Sequence, residues 1–254
     1  MPSQHYHDGR LMESNPALHS CLKQKFGFEE ITVDGSTKTK GDAFGHRTGQ
    51  EPVTISIKNP SGKNTQVHLP TLQSWREVMN MPDMVFATLD KWLGTNNRDK
   101  FDLWAETVEV TDRERKYQRL GSYHLNFWPA VLDWLNETTQ SKQLPQLLLQ
   151  SINGDLPVKY LVWIQKKTGA YEIVDVDAFV NWIAKHGQWI NSTNRLGHYY
   201  NLWCVGPDGK KIFSMQMKGS GGYDGGYDHC PQFHLYPFWP KEFVVDSGVI
   251  EKTN

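Results

Sequence analysis

Cysteine is scarce in this 254-residue chain: Cys21, Cys204 and Cys230 are its only three. They are odd in number, far apart and without any CxxC pair, which argues against a disulfide framework and against a zinc ribbon. Long apolar runs are missing too, since no stretch approaches the ~18 residues of a membrane span. The opening segment MPSQHYHDGR is polar and holds no apolar h-region. These features lead to the expectation of a soluble, cytoplasmic protein with no membrane partner. The third thing lacking is a surplus of charge. Lys plus Arg number 27 against 28 for Asp plus Glu, a net charge of −1, which argues against a wholly basic nucleic-acid coat and permits a local basic cleft. No internal repeat or long linker is present.

What the chain does have is aromatic residues, 12% of the total with 10 Trp, some in pairs such as FW at 127 and 238 and YY at 199. An aromatic core accounts for them; so does a stacking surface for sugars or bases.

The hydrophobic pattern predicts a mixed α/β (α+β) fold. Residues 9–26 have helical spacing, bent or restarted at Pro16 and stopped at Gly27. EEITV and PVTISIK read as strands separated by the loop DGSTKTKGDAFGHRTGQ. After NPSGKN and QVHL, two helices follow, with Thr71 as N-cap, Pro82 as break and Gly94 as stop. Residues 95–120 are highly charged and read as a solvated face or connection, with phosphate contact by Arg113, Arg115, Lys116 and Arg119 as the alternative. Helical periodicity returns over 124–152. VKYLVWI and AYEIVDV form a hairpin, DAFVNWIAKH a helix capped by Asp177, and HYYNLWCV, IFSMQM and QFHLYPF three more strands. The expected organisation is one domain over 1–254, with parts at about 8–94, a helical middle at about 95–152, and a strand-rich part at about 153–245.

The stretch GDAFGHRTGQEPVTISIKNP, residues 41–60, carries the sharpest chemistry. Alternation along PVTISIK puts Ser56 and Lys58 on one strand face and Ile55 and Ile57 on the other. If the loop folds back, Asp42 meets the polar face. A carboxylate, a hydroxyl and a lysine converging at a strand end suit metal-assisted phosphodiester hydrolysis: the carboxylate holds Mg2+, and lysine positions the attacking water. The bland reading is an edge-strand lysine reaching solvent. The nearby Lys38, Lys40, Arg47 and Lys63 make either phosphate contacts or a solvated loop.

These residues, taken with others in the same order, resemble type II restriction endonucleases of the PD-(D/E)XK superfamily, especially small enzymes that cut four-base G/C palindromes. DGRLME at 8–13 is similar to the family's first helix, with Glu13 in the place of its active-site glutamate. GDAFG and SIK match the metal-binding acid, Asp42, and the terminal lysine, Lys58. VMNMPDMVFATLDKWLG is similar to the family's helix pair ending in glycine. SMQMKGSGGYDGGYDHCPQFHLYP is similar to its late Gln-x-Lys-Gly-Gly-Asp segment followed by a strand. Ser56 stands where the family usually carries a carboxylate, which leaves Glu13 or Glu51 as the second one. Met217 stands where the family usually carries arginine, and the glycine run is longer.

The resemblance implies a central mixed sheet flanked by helices, with a strand-rich C-terminal DNA-recognition part. It implies Mg2+-dependent hydrolysis of double-stranded DNA at a short site, leaving 5′-phosphate ends. Asp42 would hold Mg2+ with the Ile57 carbonyl, Lys58 would orient the water, and Glu13 would support either. Gln216, Lys218, Gly219, Ser220, Gly221, Gly222, Tyr223 and Asp224 would contact DNA, since lysine reads guanine and glycines let the protein backbone approach the duplex. A hairpin tip, for which glycine, tyrosine and aspartate are ordinary residues, is the alternative reading of that segment. A cognate DNA methyltransferase is the implied functional partner, with the enzyme a monomer or a homodimer. Mismatch- and junction-specific nucleases of the superfamily are the alternatives. A carbohydrate-binding module is the alternative of another class, built on the aromatics. An HNH-type site from His198 and Asn201 or His124 and Asn126, and a zinc site from His229, Cys230 and His234, lack the usual ligand spacing.

Overall fold

Helix α1 (Pro16–Phe26) stops at Gly27, as the sequence predicts, and the Phe28 N–H closes its last turn on the Lys23 carbonyl at 3.1 Å. The computed structural model describes residues 16–33, 41–60, 63, 65–67, 72–93, 128–150, 156–192, 201–218 and 230–250. After α1 come β1 (Glu30–Val33), β2 (Ala43–His46), β3 (Val53–Lys58) and β4 (Thr65–Val67), then α2 (Leu72–Met79), α3 (Asp83–Leu93), α4 (Trp128–Gln140) and α5 (Gln143–Leu149). The remainder holds β5 (Val158–Ile164), β6 (Ala170–Asp175), α6 (Val176–His186), β7 (Gln188–Ser192), β8 (Asn201–Val205), β9 (Lys211–Lys218), β10 (Cys230–Leu235), a 3-10 turn at Lys241–Phe243 and β11 (Val244–Val249). The class is mixed α+β, as the pattern predicts. No described helix is long and apolar enough to cross a membrane.

The chain divides into two compact units interleaved in sequence. The first takes Met1–Thr65, Pro145–Ile183 and Pro237–Asn254; the second takes Gln66–Leu144 and Ala184–Tyr236.

In the first unit six strands are ordered β1-β2-β3-β5-β6-β11, and the β3–β5 pair is parallel while the others are antiparallel. One face is apolar: Ile55 and Ile57 of β3 join Val162 and Ile164 of β5, Ile173 of β6, and Leu18 and Leu22 of α1 in one buried cluster. Successive strand residues face opposite ways, so Ser56, Lys58, Leu161 and Trp163 belong to the other face. There Trp239 stands edge-on to both Trp163 and Phe179 of α6, at centroid distances of 5.7 and 5.9 Å. At the β6–β11 edge, Cys21 Sγ lies 3.0 Å from Tyr171 Oη, and both groups donate to Asp246 Oδ2, at 3.3 and 3.1 Å. Burial, and behind it the Asp246 carboxylate, pushes the Cys21 thiol above its ordinary range. A thiol so held ties α1 to the sheet and is a poor nucleophile.

The second unit carries a sheet ordered β4-β10-β9-β8-β7, in which the β10–β9, β9–β8 and β8–β7 pairs are antiparallel. Its core is aromatic. Trp75 of α2 packs edge-on against Trp134 of α4 and Phe233 of β10, and Trp189 of β7 against the same phenylalanine.

Three sequence expectations need correction. AFGH, placed by its pattern in a loop, is strand β2; it is short, and Gly45 is there because a Cβ would lie 2.6 Å from the Phe28 ring. Strands β7 and β11 do not stand out in the pattern, because QWINS and VVDSGV are brief and mostly polar or interrupted by glycine. Helix α6 is capped by Asp175, whose Oδ1 accepts the Ala178 N–H at 3.0 Å. Asp177 instead accepts from Gln150 and from Lys159, the latter at 2.5 Å.

Candidate active site

The β2–β3 pairing determines where Asp42 goes. Ala43 is opposite Ile55, so one step further the chain sets Asp42 beside Ser56, and the Asp42 N–H bonds to the Ile55 carbonyl at 2.8 Å. Three donors then meet on one carboxylate oxygen. Asp42 Oδ2 accepts from Ser56 Oγ at 3.0 Å, from the Ile57 N–H at 2.6 Å and from Lys58 Nζ at 3.4 Å. Ser56 is buried at 4% exposure, and the Asp42 and Lys58 side chains are each 15% exposed.

The position of Lys58 is unusual for a lysine. It closes a central strand, opposite Trp163 of β5, where the core residues before it are buried. An ion pair of this kind adds little to stability, because removing both charges from water costs about as much as their attraction returns. A largely buried charge pair that stability does not explain is where function is sought.

The arrangement also bears on Mg2+. That ion takes one or two carboxylates and keeps several waters. With its Oδ2 holding three donors, Asp42 has Oδ1 left, which makes no hydrogen bond among the described residues. A strand residue sends its N–H and C=O to the same side. The Ile57 carbonyl therefore lies on the edge where Asp42 takes its N–H. One carboxylate oxygen and one carbonyl fit a hydrated magnesium ion. They do not make a zinc cage, and among the described residues no group of three His, Cys, Asp or Glu gathers.

The structure thus brings Asp42, Ser56, Ile57 and Lys58 together, and it separates the other candidates. Glu51 is exposed beyond the far end of β3, roughly 17 Å from Ser56 at ~3.3 Å per strand residue. The same end holds Arg47, whose guanidinium donates to the Phe26 carbonyl at 3.0 and 2.5 Å and to Gln50 Oε1 at 3.1 Å. Arg47 also lies over the Phe28 ring at 5.0 Å, so it caps the C-terminus of α1. Lys63 is exposed. Glu13, Lys38, Lys40 and the segment Gly219, Ser220, Gly221, Gly222, Tyr223 and Asp224 lie outside the described residues. Gln216 and Lys218 are on β9, opposite Gln232 and Cys230 of β10, and only their backbone is described.

One further carboxylate belongs to the Lys58 face. Glu172 of β6 is opposite Trp163, yet it accepts from Trp239 Nε1 at 2.9 Å and from Lys241, and Trp163 stands between it and Lys58. Nothing in the sequence singles it out, and its hydrogen bonds make it a support for the aromatic cluster. No family model matches the chain, and no curated protein matches it.

Proposed function

We propose that this protein is a Mg2+-dependent endonuclease that hydrolyses double-stranded DNA at a short specific sequence, as a type II restriction endonuclease does. The observation that carries the reading is the convergence of Ser56, Ile57 and Lys58 on one oxygen of Asp42. In this reading Asp42 and the Ile57 carbonyl hold the ion, which supplies positive charge against the scissile phosphate when bound. Ser56 and the Ile57 N–H fix the carboxylate so that it does not turn during the reaction. The Lys58 ammonium orients the attacking water and stabilises the negative charge that builds on the phosphoryl oxygens. Hydrolysis leaves a 5′-phosphate and a 3′-hydroxyl. Glu13 is the proposed second carboxylate, since Glu51 is at the wrong end of β3. Recognition falls to the segment from Gln216 to Asp224, and a DNA methyltransferase of the same specificity protects the host in the cytoplasm.

Incubating the purified protein with plasmid and Mg2+ tests this. Discrete fragments support it, nicked circles or cutting confined to junctions redirect it to a mismatch or junction nuclease, and intact DNA under several divalent metals sinks it. Asp42→Ala and Lys58→Ala must abolish cleavage while site-specific binding persists; cutting retained by both overturns the assignment.

A further inference from the structure

The residue before Asp42 has no side chain, and the space beside it leaves no room for one. A Cβ on Gly41 would stand 2.3 Å from Thr54 Cγ2, more than 1 Å inside ordinary carbon–carbon contact of about 3.5 Å. The next nearest atom, Phe44 Cζ, is at 3.4 Å and would not move. Thr54 has little room to give way. It is 2% exposed in the middle of the sheet, and its β-branched side chain is stiff at χ1. Its hydroxyl is buried without a hydrogen bond among the described residues, so packing rather than bonding sets this rotamer.

We infer that Gly41 is a positioning residue: the Gly41–Thr54 contact sets how closely the chain approaches β3 and so holds the Asp42 carboxylate against Ser56, Ile57 and Lys58. Immediately after Gly41, the Asp42 N–H bonds to the Ile55 carbonyl at 2.8 Å, and the carboxylate takes the Ile57 N–H at 2.6 Å. A methyl group at 41 forces this segment away from β3. Displacing a reacting group by about 1 Å costs on the order of 100-fold in rate. The effect on cleavage rests on the nuclease reading; the effect on the Asp42–Ile57 bond does not.

The test is a two-by-two set: the parent, Gly41→Ala, Thr54→Ser, and the double variant. Thr54→Ser removes the colliding methyl and keeps the hydroxyl. Expected results are a fall of about 100-fold in kcat for Gly41→Ala with little change in DNA affinity, and near-parental cleavage for Thr54→Ser and the double variant. Amide hydrogen exchange at Ile57, read without substrate, should quicken in Gly41→Ala and return to the parental rate in the double variant. Unchanged exchange and cleavage in Gly41→Ala overturn the inference, as does a folded double variant that stays as impaired as Gly41→Ala. If Gly41→Ala fails to fold, the double variant is compared with Thr54→Ser, and unequal exchange at Ile57 overturns it. A parent that cuts nothing, with the exchange pattern as expected, refutes the nuclease reading and leaves the positioning intact.

Discussion

The two ends of the β2–β3 hairpin both carry charged residues, and they use them differently. At the Lys58 end the acid, the hydroxyl and the ammonium turn toward one another at 15% exposure or less and serve no turn or helix. At the Glu51 end the charges bind the chain to itself. Arg47 closes the C-terminus of α1, and Glu29 accepts the Thr48 N–H and hydroxyl at 3.1 and 2.6 Å. Arg47 and Glu29 satisfy backbone groups and so have a structural reason to be charged, whereas Lys58 bonds, among the described residues, to the Asp42 carboxylate alone and needs another reason.

Substitutions at the two ends sharpen this contrast. The largest effect belongs to Asp42→Ala and Lys58→Ala, each expected to lower cleavage about a thousandfold or more in a plasmid assay while the fold survives. Gly41→Ala follows, at about a hundredfold. At the other end Arg47→Ala should leave cleavage per folded molecule unchanged and cost about 1–2 kcal/mol of stability, read as a lower urea midpoint. Loss of activity in fully folded Arg47→Ala would break the comparison.

Glu29→Gln has a smaller effect with a pH signature. Hydrogen bonds from Thr48 hold the Glu29 carboxyl below its ordinary value of 4.5. A group whose pKa is lowered on folding stabilises the fold above its unfolded pKa, and that contribution disappears as pH falls through the folded value. The stability deficit of Glu29→Gln relative to the parent should therefore be full at neutral pH and shrink as pH falls below about 4.5. A deficit that is constant with pH would assign the effect to something other than ionisation. The smallest effect is that of Glu51→Gln, expected to change neither cleavage nor stability by more than about 0.5 kcal/mol. A strong loss of cleavage there would restore Glu51 as the second carboxylate.

The mixed α+β class, the end of α1 at Gly27, the β5–β6 hairpin, and the pairing of Ser56 with Lys58 on one face of β3 are legible in the residue pattern alone. All of these are local, set by the two-residue period of a strand, the helical period and the residues that end helices. The sequence also named Asp42 as the acid that meets this face if its loop folds back, but no pattern along the chain shows that the loop does so, and Glu13 and Glu51 stayed open as the second carboxylate. Only the tertiary structure separated Asp42 from Glu51, because the antiparallel register of β2 and β3 carries one acid to the Lys58 end and leaves the other a strand's length away. Only the tertiary structure gave Arg47 its work on α1, and Gly41 its reason for being glycine. Contacts such as these join residues distant in the chain, and no period or spacing along it records them.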